Sequence, residues 1–152
     1  MKRAPMIAVI GGRKADSTLK KEAEEVGRLV AKNGGVLVCG GLHGIMEAAS
    51  KGAKGAGGLT IGILPQDQNK DANPYIDVPV VTGMGIGRNV IIARTADAVI
   101  AIGGAYGTLS EIAFSLQLEK PVVGIRSWDI KGVVPAKDAD EAVRTVFEMI
   151  AY

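Results

Sequence analysis

One cysteine, Cys39, and one histidine, His43, are all that 152 residues contain of either type. A lone thiol forms no intramolecular disulfide and fits a reducing compartment. With one thiol and one imidazole, none of the usual zinc-ligand spacings can be written, so no metal site is expected. Aromatic residues amount to 4%, and the 18 Lys and Arg are interleaved with 16 Asp and Glu for a formal net charge of +2. No basic stripe with aromatics between its charges is present, which argues against a nucleic-acid partner. No apolar run approaches the length of a bilayer span. The opening MKRAPMIAVIGG is too short in its apolar part for a secretory segment and ends in a Gly-Gly turn, so a cytoplasmic protein without a membrane partner is expected.

Familiar nucleotide and catalytic motifs are missing as well. There is no G-x-x-x-x-G-K-[ST], which excludes a P-loop NTPase. GMGIGR is G-x-G-x-G rather than G-x-G-x-x-G, and GGRKAD after the first apolar run lacks a third glycine, so a dinucleotide-dependent dehydrogenase is a poor match. No G-x-S-x-G elbow accompanies His43, which leaves no serine-hydrolase triad.

Glycine, by contrast, is abundant: 21 of 152 residues, about twice average usage. The glycines fall at the ends of apolar runs, where a backbone approaches a ligand or turns tightly. MIAVIGG, VLVCGG, LTIGILP, IDVPVV, DAVIAIGG and PVVGI read as strands, with PVVGI the last. Between and after them lie helical patterns. Leu19, Ala23, Val26, Leu29 and Val30 share one face, with Asp16 or Ser17 as N-cap and Asn33-Gly34-Gly35 as stop, and Asp138 and Glu141 are spaced for a capping box. Continuous apolar strands alternating with helices predict a single Rossmann-like three-layer α/β/α domain over residues 1–152, with a mostly parallel sheet. Ligands of such sheets bind beyond the carboxyl ends of the strands. The polar stretch QDQNKDANPY reads as an exposed, mobile loop near that end.

Two loops share Gly-Gly-x-x-Gly between a strand and a helix, CGGLHG (Cys39 to Gly44) and IGGAYG (Ile102 to Gly107), and both are candidates to face one ligand. In IGGAYGTLSE the amides of Gly104 to Thr108 at a helix start form an anion site, reinforced by the helix dipole and the Thr108 hydroxyl. Glu111 has two readings. Thr108-x-x-Glu111 is a capping-box pattern; alternatively the carboxylate, held ionised by the helix N-terminus, stabilises an oxocarbenium-like centre or holds sugar hydroxyls, and is then a poor general acid. Arg88, in MGIGRNVIIARTADAVIAIGG, opens the preceding helix, where the dipole disfavours it unless an anion compensates. Ligand-facing candidates beside these are Gly11, Gly12, Gly40, Gly41, Gly44, Met46, Gly104, Ala105, Tyr106, Gly107 and Thr108. Met84 is a weaker candidate for an apolar wall, and Cys39 reads as an inert buried thiol.

GGLHGIMEAASKGAKGAGGLTIGILP followed by TGMGIGRNVIIARTADAVIAIGGAYGTLSEIA resembles the Lonely Guy (LOG)-like Rossmann superfamily, in particular the branch containing the molybdenum cofactor carrier proteins. That group also includes nucleoside-monophosphate phosphoribohydrolases, often mislabelled lysine decarboxylases. Its P-G-G-x-G-T-x-x-E pattern falls on Gly103-Gly104-Ala105-Tyr106-Gly107-Thr108-Leu109-Ser110-Glu111, with Gly103 for proline and Ala105 for glycine. The resemblance implies catalytic roles for Arg88 and Glu111 and a phosphate loop at Gly104, Gly107 and Thr108, although the Arg-Lys pair of the superfamily is Arg88-Asn89 here. It further implies a homodimer or larger homo-oligomer and a small phosphorylated ligand. That ligand is a molybdopterin-type cofactor for a carrier, or a nucleoside 5′-monophosphate for a hydrolase that requires no cofactor. Pyridoxal-dependent decarboxylation has no support, since no lysine motif for the Schiff base is recognisable.

Overall fold

The computed structural model describes residues 2–151. Its elements run Met6–Gly11 (β1), Ser17–Lys32 (α1), Val36–Cys39 (β2), Ile45–Gly55 (α2), Thr60–Leu64 (β3), Val78–Val81 (β4), a 3₁₀ turn at Gly85–Gly87, Arg88–Thr95 (α3), Ala98–Ile102 (β5), Tyr106–Gln117 (α4), Val122–Ile125 (β6), Val133–Pro135 (β7) and Ala139–Ile150 (α5). The strands form one seven-stranded sheet in the order β4-β3-β2-β1-β5-β6-β7. Every pairing is parallel, so the sheet is wholly rather than mostly parallel.

Alternation along the central strands divides the core into two layers. Ile7 and Val9 of β1 face the side covered by α1, α2 and α5, where Val26, Ala49 and Val146 pack on them. Ala8 and Ile10 face the side of α3 and α4, against Ile92 and Ile112. Local chemistry sets the ends of α1 and α5. Asp16 accepts a hydrogen bond from the Leu19 amide at 2.8 Å, and Asp138 accepts one from the Glu141 amide at 2.9 Å.

β1 to β4 extend the sheet in one direction, after which the chain crosses back and lays β5 on the other side of β1. The topological switch point therefore lies between the carboxyl ends of β1 and β5, at Gly11 and Ile102, which are paired in register.

Three expectations need correction. A seventh strand, β7, follows β6; with three residues on an exposed edge it is too short to carry a periodic signal. Thr108 does not cap α4, because the helix begins two residues earlier with Ala105 as N-cap, and no side chain caps it. The segment after β3 is exposed over much of its length but is anchored at Asn73. The Asn73 amide donates to the Gly41 carbonyl at 2.8 Å, and its side-chain nitrogen donates to the Leu42 carbonyl at 2.8 Å.

Candidate functional site

Two loops meet at the switch point. The first leaves β1 at Gly11 and Gly12, and the second leaves β5 through Gly103 and Gly104 into α4. Gly104 has φ +105°, and a side chain there would collide with Thr108, so this bend requires glycine. The bend is held from outside the helix: Ser127 Oγ donates to the Gly103 carbonyl at 2.7 Å, and Trp128 Nε1 donates to the Ala105 carbonyl at 3.1 Å. The first amide of α4 paired within the chain is that of Leu109, which donates to the Ala105 carbonyl. Those of Gly104 to Thr108 have no acceptor among the described residues, the arrangement that makes a helix start an anion site.

Beside this helix start lies a cleft of about 280 Å³. Gly11, Gly12, Met46, Arg88, Ala105, Gly107, Thr108 and Glu111, all singled out in the sequence, line it. So do Arg13, Pro65, Gly85, Ile86 and Asn89, which are not among the ligand-facing candidates. Asn89 is marked in the sequence only as the residue replacing the lysine of the superfamily's Arg-Lys pair, Arg13 adjoins Gly12, and Pro65 ends the apolar run LTIGILP. Ile86, 90% exposed, stands at the opening.

Gly40, Gly41, Gly44, Gly104 and Tyr106 are not among the lining residues. Gly40 instead makes room for Arg88: an added methyl group would lie 2.5 Å from Nη2 and 2.7 Å from the Met46 sulfur. The Gly41 amide donates to the Cys39 sulfur at 3.3 Å, and Gly44 lets α2 start directly beneath the first loop. There the Ile45 amide donates to the Gly12 carbonyl at 3.1 Å, so this α2 donor is engaged internally. The two Gly-Gly-x-x-Gly loops are therefore alike in sequence but unlike in use. Tyr106, 82% exposed, stacks on Trp128 with ring centroids 6.3 Å apart. Met84 is half-exposed and outside the cleft, and burial pushes the Cys39 thiol up, away from the reactive thiolate.

Arg88 and Glu111 bring opposite charges to the cleft without pairing. Arg88 is 8% exposed; its Nη1 donates to Asn89 Oδ1, its Nη2 reaches the Gly40 carbonyl at a long 3.4 Å, and its buried Nε has no partner among the described residues. Glu111 is 6% exposed and forms no ion pair among the described residues. Burial works against both charges. It lowers the affinity of Arg88 for its proton and raises Glu111 to about 7, the nearby Arg88 opposing the rise. This corrects the expectation of a firmly ionised carboxylate. Glu111 sits beyond the first turn of α4, where the helix-terminal field has faded, and desolvation wins. A carboxyl poised near neutrality is able to donate as well as accept a proton.

A wholly parallel, doubly wound sheet with a cleft at the switch point, lined by an arginine and a glutamate and bordered by a glycine-bent helix start, defines a Rossmann-like protein. The chain belongs to the SLOG cluster 4 family, whose model matches residues 4–150. It is similar to the molybdenum cofactor binding protein from the phototrophic bacterium Rippkaea orientalis, with 37% identity, a TM-score of 0.94, and coverage of 99% of this chain and 100% of that one. The molybdenum cofactor carrier protein from Chlamydomonas reinhardtii superimposes with a TM-score of 0.90 at 34% identity, again over 99% and 100% of the two chains. A cytokinin riboside 5′-monophosphate phosphoribohydrolase of Mycobacterium tuberculosis is 32% identical over 115 residues, covering 70% of this chain and 62% of that enzyme.

Proposed function

We propose that this protein binds a small phosphorylated ligand at the cleft between β1 and β5, in the manner of a molybdenum cofactor carrier. The charge balance of the cleft supports this most directly. A buried guanidinium with unused donors and a row of open helix-start amides converge on one volume, and the one carboxyl lining it among the described residues is kept partly protonated near pH 7 by burial. Such a site favours a phosphate monoester, a ready acceptor for both kinds of donor. Met46, Pro65 and Ile86 add apolar surface suited to a flat ring beyond the phosphate. Residue for residue, Ala105, Gly107 and Thr108 hold the phosphate, Arg88 balances its charge, and Glu111 meets the polar edge of the ring or sugar. Full-length likeness to two molybdenum cofactor proteins favours a pterin cargo. The homo-oligomer implied by the superfamily belongs to the same reading.

The placement of Glu111 favours one alternative, hydrolysis of a nucleoside 5′-monophosphate. A glutamic acid about half protonated at pH 7 would hand its proton to the departing base, and water adding to the ribosyl carbon would return a proton to the carboxylate, giving free base and ribose 5-phosphate. Arg88 would hold Glu111 and the phosphate in one field.

One experiment separates the two readings. The purified protein is offered a molybdopterin-type cofactor, desalted, and assayed for retained pterin by fluorescence after oxidation, and in parallel is incubated with a panel of purine and pyrimidine monophosphates. The expected result is retention by wild type, loss in Arg88→Ala and in Gly107→Asp, and no release of base. Gly107 has open space around it, so the aspartate places a charge in the loop without crowding. Base release by wild type and not by Glu111→Gln would establish the hydrolase instead.

A further inference from the structure

Asn89 lines the cleft yet is only 4% exposed, and its side chain joins the two helices that build the site. Its Oδ1 accepts from Arg88 Nη1. Its Nδ2 donates to Ser110 Oγ at 3.1 Å, and Ser110 donates onward to the Gly107 carbonyl at 2.7 Å. A continuous line of hydrogen bonds thus runs from the guanidinium at the start of α3 to the first turn of α4. Successive residues of a helix point to different faces, so the Arg88–Asn89 contact requires the long arginine side chain to reach round that turn. Only one orientation of the amide serves, since the reverse would set its NH₂ against the guanidinium donors.

The other restraints on Arg88 are weak. The bond to Gly40 is long, Nε has no acceptor, and no carboxylate lies within ion-pairing distance among the described residues. Asn89 is therefore the principal polar anchor of a buried cation. Being neutral, it fixes the guanidinium without cancelling its charge, as an aspartate would. Being joined through Ser110 to Gly107, it fixes the guanidinium relative to the open amides of α4.

We propose that Asn89 and Ser110 form a positioning clamp that holds Arg88 in the cleft and aligns it with the α4 amides on one anion. The part concerning the anion rests on the phosphate-binding reading; the part concerning Arg88 order does not. Removing the clamp frees the guanidinium to leave a site where burial disfavours it, and removing its neutrality cancels the charge in place.

Two measurements test this on the full chain. In the ligand-free protein, the ¹H–¹⁵Nε heteronuclear NOE of Arg88 is expected to report a rigid side chain in wild type and a mobile one in Asn89→Ala. With inorganic phosphate as probe, calorimetric titration is expected to show roughly tenfold weaker binding in Asn89→Ala, the scale of one hydrogen bond to a charged group. Ser110→Ala, which removes only the outer link, is expected to lose about threefold. In an Arg88→Ala background, with residual binding by the amides read at higher phosphate, neither substitution is expected to matter further. Asn89→Asp is expected to keep Arg88 rigid and still lose affinity, a combination that a merely structural role would not produce. A rigid Arg88 in Asn89→Ala, or an equal loss in the two backgrounds, would overturn the clamp. No phosphate binding by a wild type whose Arg88 is rigid and released by Asn89→Ala would reject the phosphate reading and leave the Arg88 anchor standing.

Discussion

Glu111 shows how burial and position compete at one residue. Its carboxyl is buried on the wall of the cleft, beyond the first turn of α4, with Arg88 near but unpaired among the described residues. Raised to about 7 from an ordinary value near 4.5, it binds its proton more tightly in the folded chain than in the unfolded one. Stability from this group is therefore full below about pH 4.5, falls as pH rises, and is lost above about pH 7, a change of up to about 3 kcal/mol. Glu111→Gln keeps the shape and removes the titration. Urea unfolding of the two proteins is expected to show the variant gaining on wild type by about 2.5 kcal/mol between pH 5 and pH 8. Anion affinity of wild type is expected to weaken over the same interval, because ionised Glu111 shares the cleft with the ligand, while that of the variant stays flat. A constant difference between the proteins from pH 5 to pH 8 would mean that Glu111 is ionised throughout.

At the scale of elements, α1 and α2 cross closely enough for their backbones to touch. A methyl group at Gly27 would lie 1.9 Å from the Ala49 carbonyl oxygen, and one at Gly52 would lie 1.8 Å from that of Glu24. Neither neighbour is a side-chain end that swings aside; the helices must separate, opening the layer in which Val26 and Ala49 pack on Ile7 and Val9. Gly27→Ala and Gly52→Ala are each expected to cost about 3 kcal/mol or more in urea unfolding. Gly55, in the last turn of α2 with open space around it, sets the control. Gly55→Ala is expected to stabilise by about 0.5–1 kcal/mol. Similar stabilisation at all three positions would point to helix propensity and not to the crossing.

The same scale explains what the sequence could say. The starts of α1 and α5 were legible because Asp16 and Asp138 each bond an amide three residues on, a purely local event. The start of α4 was not. Thr108-x-x-Glu111 satisfies a local capping rule, but the true start two residues earlier is imposed by Ser127 and Trp128, which hold the Gly103 and Ala105 carbonyls from beyond the following strand. The burial of Arg88 was likewise invisible, since it depends on the space left at Gly40 and on the Asn89 bond. The likeness of the two glycine loops concealed their difference, because only the fold places Ile45 under the Gly12 carbonyl and leaves Gly107 open.

For the whole molecule, the site stands where two kinds of stability meet. β1 and β5 are central strands with core on both faces, whereas β4 and β7 are edges, and β4 keeps Val78, Val80 and Val81 substantially exposed. Amides of the central strands exchange through openings that approach global unfolding, and edge amides through smaller ones. A ligand held at the ends of β1 and β5 is released by the first kind of opening and retained through the second. At a ligand concentration of 100 times Kd, only openings that release it become costlier, by about 2.7 kcal/mol. Hydrogen exchange with and without inorganic phosphate is therefore expected to slow roughly a hundredfold in β1 and β5 and to change little in β4 and β7. The amides of Ala105, Gly107 and Thr108 at the start of α4, now bonded to the anion, are expected to gain protection they lack in the free protein. Equal slowing in edges and centre would mean that the sheet opens as one unit; slowing confined to β4 would place the anion elsewhere.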